Sequence, residues 1–296
     1  LTEKRHFDRV FRQTNVRRAH PPLRLIAIPN AKTTPRLGIV VGKRALRRAV
    51  DRNQIPEPVP YFIAHNRGKR SITLDVRRPE GREIVERFVQ KVDVVVSNMR
   101  IGKMDALGFS YEYLSSLNPR IVYACGSAFG PLGERSQVPG NDIVGQSAGG
   151  ITTRTGHAKD IPTPVGAAIA DQTGAIFLCT GILAALVQRE RTGLGDQVDV
   201  SLYGSQIALQ SWEITDFSLS GKEAGKGGYG HPLLTYRSVW RTFETSNGWI
   251  AIGGAATDKF KALAEIVDSP ELAEKYPDDG PHRRWQDRDR PALGEA

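Results

Sequence analysis

A chain of 296 residues, 40% hydrophobic and 25% charged, can bury one large core or two ordinary ones, and its net charge of +9 suggests at first a nucleic-acid binder. The distribution of that charge argues otherwise: residues 1–54 hold fourteen Lys/Arg against Glu3, Asp8 and Asp51, and the rest of the chain is slightly acidic. Such a break in composition implies two unrelated pieces. The six histidines have no metal-ligand spacing, so no metal site is expected. Cys125 and Cys179 lie in apolar stretches and read as buried thiols in a reducing compartment, with a disulfide left open by sequence alone. No signal peptide is expected. The longest apolar run, Ala175 to Val187, is broken by Thr180 and Gly181 and is too short to cross a bilayer, so a cytoplasmic protein without membrane contact is expected.

The basic first piece contains strand candidates at Leu23–Ile28 and Leu37–Val41, then a helix candidate from Lys43 to Asn53. Helical spacing gathers Arg44, Arg47, Arg48 and Arg52 on one side, a ridge of guanidinium groups suited to phosphates. A solvated basic face is the plainer reading. Phe7-Asp8-Arg9-Val10-Phe11-Arg12, Arg36-Leu37-Gly38-Ile39-Val40-Val41 and Asp51-Arg52-Asn53-Gln54 resemble the first half of the bacterial ribonuclease P protein component. That resemblance implies a small α+β fragment contacting RNA through Lys43, Arg44, Arg47, Arg48, Arg52 and Asn53. Gln54 stands where that family usually has a further Arg, and the helix is cut by Pro56-Glu57-Pro58-Val59-Pro60, which marks a junction at 56–60.

From Tyr61 onward, strand and helix signals alternate. Arg70 to Val76 reads as a strand and Pro79 to Lys91 as a helix, with Pro near its start and Ile84, Val85, Phe88 and Val89 on one stripe. Val92 to Ser97 and Arg120 to Cys125 read as apolar strands. Strand, helix, strand in this order predicts an α/β fold with a parallel sheet covered on both faces. Ligands on such sheets bind beyond the carboxyl ends of the strands, here Asn98–Arg100 and Gly126–Gly130. Further on, Asp171 sits where the loop Thr163-Pro164-Val165-Gly166 gives way to apolar sequence, which places a lone carboxylate at the first turn of a buried helix. Free N–H groups and the helix dipole favour its ionised form, and it could serve as a nucleophile or simply as an N-cap.

Read in order, Arg67-Gly68-Lys69-Arg70-Ser71-Ile72, Asp93-Val94-Val95-Val96-Ser97-Asn98, Leu107-Gly108-Phe109-Ser110-Tyr111, Gly166-Ala167-Ala168-Ile169-Ala170-Asp171 and Arg191-Thr192-Gly193-Leu194-Gly195-Asp196 resemble the class III CoA-transferases, the CaiB/BaiF-like family with formyl-CoA and carnitine-CoA transferases. The resemblance covers about 61–275 and implies a Rossmann-like parallel-sheet large domain, truncated at both ends, followed by a charged tail at 276–296 expected to be disordered. It implies coenzyme A as the acyl carrier, an acyl-CoA and a carboxylic acid as substrates, and a homodimer. It further implies Asp171 as the attacking carboxylate and Leu74, Val76, Arg77, Asn98, Met99, Arg100 and Asn141 at CoA-contacting positions. A glycine loop over the site is implied at Gly227, Gly228, Tyr229 and Gly230. Ala106 stands where some members carry a phosphate-binding Arg. Racemases of this superfamily place a His thirty positions before the aspartate and a second acid near Thr257; this chain has Asn141 at the first, which favours transfer over epimerisation. An inactive remnant of the family is the other reading.

Overall fold

The computed structural model describes residues 64–275, apart from 67, 224, 229, 232–238 and 256–257, together with the backbone of 23–26 and 40–41. The basic helix candidate and the Pro-rich junction lie outside the described residues. Two compact units divide the chain: 1–127 with 178–199, and 128–177 with 200–296.

The first unit carries a four-stranded sheet in the order β2 (Val40–Val41), β4 (Val94–Ser97), β5 (Val122–Ser127), β6 (Gln197–Ser201). β2 pairs parallel with β4, and β4 parallel with β5, aligning Val94 with Val122 and Val95 with Tyr123. Separately, β1 (Leu23–Ile26) pairs antiparallel with β3 (Ser71–Leu74). The uninterrupted apolar run of β4 is explained by burial on both faces, since successive side chains point to opposite sides of a sheet. Val95 packs into a cluster with Leu74, Val76, Val85, Val89, Phe109 and Leu114. Its neighbour Val94 packs with Val122, Ala124, Ile182 and Ala185.

The first of these faces is covered by α1 (Pro79–Val89), α2 (Lys103–Ala106) and α3 (Tyr111–Leu117). Pro79 opens α1, where its missing N–H costs nothing, and Gly81, Val85 and Val89 recur at four-residue steps to form the buried stripe. Ser110 caps α3 by accepting from the Tyr113 N–H at 3.2 Å. Among the described residues the expected strands and the helix at Pro79 are present, with ends displaced by up to three residues.

The second unit contains α4 (Asp142–Ala148), α5 (Ile151–Arg154), α7 (Leu202–Leu209), α8 (Ser211–Ser220), the antiparallel hairpin β7 (Val239–Thr245) and β8 (Gly248–Ala255), and the short helices α9 (Asp258–Ile266) and α10 (Glu271–Lys275). Glycine at 145 and 149 allows α4 to approach α7: a side chain on Gly145 would press on Ala170 and Leu202 at 2.9 Å, and one on Gly149 would collide with Gln206.

The 24-residue helix α6 (Ile169–Thr192) begins in the second unit and ends in the first. The sequence predicts a buried helix here; the helix is present but largely exposed, with Ile176 64% and Leu183 58% accessible. Its apolar residues run all round, and the stripe Leu178, Ile182, Ala185 and Leu186 meets the sheet. By length and composition α6 could also cross a bilayer. Its last turns nevertheless hold Arg189, with a side chain 6% exposed, in an ion pair with Asp93 at 3.1 Å. Cys179, expected to be buried, lies on the open side of α6, whereas Cys125 on β5 is half-buried; both are free thiols.

Candidate functional site

Asp171 is the third residue of α6, inside its first turn and half-buried. The alternative that it caps the helix is therefore excluded, because a cap residue precedes the first turn. Nor is it a lone carboxylate. Oδ1 of Asp142, at the start of α4, accepts from the backbone N–H of Ala170 at 2.9 Å and of Asp171 at 3.2 Å. A carboxylate on another helix thus takes two of the donors that a free helix end would offer.

The arrangement is fixed by Gln146, which is 1% exposed. Its Oε1 accepts from the Val165 N–H at 2.9 Å, while Nε2 donates to Asp142 Oδ2 at 2.7 Å and to the Ala167 carbonyl at 3.3 Å. One amide therefore ties the connection leading into α6 to the carboxylate at its head. A turn further on, the Thr173 hydroxyl donates to the Ile169 carbonyl at 2.6 Å and accepts from Gln206 Nε2 at 2.9 Å. Asn141, expected among the CoA contacts, caps α4 by accepting from the Val144 N–H at 3.5 Å and is exposed.

The glycine loop is in the same unit. The Gly228 N–H donates to the Gly156 carbonyl at 3.1 Å, and Lys226 Nζ donates to the carbonyls of Asp160 and Ile161 at 2.8 and 2.7 Å. Gly228 has φ +56°, a conformation that glycine adopts without strain. Gly227 accepts from the Gly230 N–H at 2.9 Å, and Gly230 bridges to Arg241 on β7. These contacts hold the loop to the connection between α5 and α6. Tyr229 and Thr257 lie outside the described residues.

The other expected CoA positions belong to the first unit. Leu74 and Val76 turn their side chains into the core, so contact with a ligand there falls to the main chain. Arg77 is 61% exposed and is gripped by Asp75 through two side-chain bonds of 2.9 Å and one main-chain bond of 3.2 Å. This partner holds the Asp75 carboxyl down to about 2. Beyond the carboxyl end of β4, Asn98 and Arg100 are exposed, while Met99 is half-buried and donates its N–H to Ser97 Oγ at 3.2 Å. Cys125 is a poor rival nucleophile, because burial pushes its thiol up to about 11. Among the described residues no three His, Cys, Asp or Glu side chains converge as a metal site would require. Lys43, Arg44, Arg47, Arg48, Arg52 and Asn53 lie outside the described residues.

Asp142 and Gln146 are the site residues that the sequence reading missed. A run Asn141-Asp142 before apolar Ile143 and Val144 signals a helix start, but nothing local connects it to a helix 29 residues away.

Comparison with known proteins gives two family matches: CoA-transferase family III over residues 44–295 and Ribonuclease P over residues 1–57. The acetyl-CoA:oxalate CoA-transferase of Acetobacter aceti is 37% identical over 214 residues, 72% of this chain and 54% of that protein. The succinyl-CoA:mesaconate CoA-transferase of Haloarcula marismortui is 36% identical over 224 residues, 74% of this chain and 56% of that protein. Among solved structures, a CAIB/BAIF family protein from Brucella suis superposes with a TM-score of 0.64 at 34% identity, covering 72% of this chain and 56% of the other. The chain spans about half the length of the curated relatives it matches.

Proposed function

Since this chain belongs to CoA-transferase family III, we propose that it carries the core of an acyl-CoA:carboxylate CoA-transferase with Asp171 as its nucleophile. The supporting observation is the placement of Asp171, half-buried in the first turn of a helix whose start is fixed by side chains from α4. A carboxylate oxygen of Asp171 attacks the thioester carbonyl of the donor. The C–S bond breaks, CoA leaves as the thiolate, and a mixed anhydride remains. The thiolate then attacks the aspartyl carbonyl of the anhydride, freeing the donor acid and forming an aspartyl-CoA thioester. The acceptor carboxylate displaces CoA from that thioester, and the thiolate attacks the acceptor's acyl carbonyl, releasing the new acyl-CoA and regenerating the Asp171 carboxylate. The covalent relay replaces one difficult transfer with several easier ones.

In this reading the exposed Asn98 and Arg100 and the main chain at 74–77 are offered to coenzyme A. The partner is a second copy of the chain. In the second unit, α8 exposes the apolar Trp212, Phe217 and Leu219, a surface of the kind that another subunit covers.

The test is incubation with acyl-CoA and a carboxylic acid, then trapping with hydroxylamine. A hydroxamate on the peptide containing Asp171, absent in Asp171→Asn, is the expected result; a wild-type chain that yields none defeats the reading. A second reading, RNA contact through residues 1–55, is favoured by the Ribonuclease P match. It requires salt-dependent RNA binding that is lost when Arg44, Arg47, Arg48 and Arg52 are changed together.

A further inference from the structure

The hydrogen bonds at the head of α6 determine where protons can be. A backbone N–H only donates, so the bond from Val165 fixes the Gln146 amide with Oε1 toward the main chain and Nε2 toward Asp142. Asp142 Oδ2 must then accept. Its Oδ1 accepts from two further N–H groups, those of Ala170 and Asp171. Both oxygens of the Asp142 carboxyl therefore accept, three bonds in all.

We propose that Asp142 is a positioning residue for Asp171: it consumes the helix N–H donors that would otherwise delocalise the charge of Asp171, and sets a fixed negative charge at the same helix end. The inference rests on the aspartyl reading. A carboxylate that accepts main-chain N–H bonds is a stabilised anion and a weak nucleophile. Diverting the Asp171 N–H to Asp142 removes one such bond, and a neighbouring anion makes Asp171 more basic. The connection into α6 carries His157, Lys159 and Asp160, and α5 carries Arg154. In the connection, Asp160 Oδ2 accepts from the His157 N–H at 2.6 Å, and its carbonyl takes the Lys226 ammonium. Lys159 in the connection and Arg154 on α5 are the cations, and α7 contributes Tyr203 and no charged side chain.

The experiment is a carbon-13 carboxyl titration of Asp171 in the full chain, with hydroxylamine trapping run alongside. Asp142→Asn keeps an oxygen for the helix N–H groups and removes the charge. The Asp171 midpoint is expected to fall by about one pH unit, and trapping to slow by up to about tenfold at unchanged KM for acyl-CoA. A cap with a merely structural role would leave the midpoint where it is, and an unchanged midpoint overturns the proposal whether or not an adduct forms. A midpoint that falls while the wild-type chain gives no adduct leaves the electrostatic link standing and defeats the aspartyl reading instead. If Asp142→Asn does not fold, the wild-type curve decides: coupling gives Asp171 a second step where Asp142 takes up its proton, and a single step overturns the proposal.

Discussion

The two units bury different chemistry. In the first, the residues around β4 and β5 that are shut off from water are Val94, Val95, Phe109, Leu114, Ile121, Val122 and Ala124. In the second, the buried set includes Gln146, Thr152, Thr173, Ser205, Gln206, Gln210 and Asp216. Apolar burial is non-directional and roughly proportional to area, so it stabilises without demanding a particular geometry. A buried amide must find its partners, and doing so fixes distances and proton positions. The candidate nucleophile lies in the unit of the second kind. A reaction that depends on where one carboxylate points needs the directional sort of interior.

The contrast can be broken most severely from the apolar side. Phe109→Ala removes a buried ring that also lies under the Arg82 guanidinium, 5.1 Å from its centroid. A loss of roughly 3–5 kcal/mol is expected, read as a lower urea midpoint at unchanged slope. Arg189→Met probes the polar exception in the first unit. It removes the guanidinium from Asp93, which is partly exposed and can recruit water, so roughly 2–3 kcal/mol is expected, below the roughly 3–5 kcal/mol of breaking a fully buried pair. If Arg189→Met instead costs as much as Phe109→Ala, the first unit depends on directional contacts as heavily as the second, and the contrast fails.

This division also explains what could be read from the sequence. The strands around Val94 and Val122 and the helix at Pro79 were legible because apolar periodicity is a local property and burial follows from it. The helix holding Asp171 was legible as a helix, but its burial was not, since an apolar stretch does not say how many neighbours will cover it. The same limit misplaced Cys179. At the site, Asp171 could be found from its setting between small residues and apolar sequence. Its partner Asp142 and the amide of Gln146 could not, because a bond between residues 29 apart depends on how α4 meets α6. The resemblance to a known family supplied the chemistry expected of the carboxylate, and the fold supplied the second carboxylate beside it.

The finest test compares two buried glutamines of the second unit. Gln146→Leu takes this partner from the half-buried Val165 N–H and Asp142 Oδ2 at once. That is expected to cost roughly 1–3 kcal/mol. Gln206 is equally buried, but its Oε1 has no hydrogen-bond partner among the described residues, and its amide serves only Thr173, whose hydroxyl keeps its bond to the Ile169 carbonyl. Gln206→Leu removes an unsatisfied acceptor together with one bond and keeps the side chain's bulk against Gly149, so a change of less than about 1 kcal/mol is expected. Urea midpoints for the two variants distinguish a polar interior whose every bond is needed from one in which the bonds around α4 and α6 matter most. Equal losses would mean that burying an amide, rather than aiming it, is what the second unit requires.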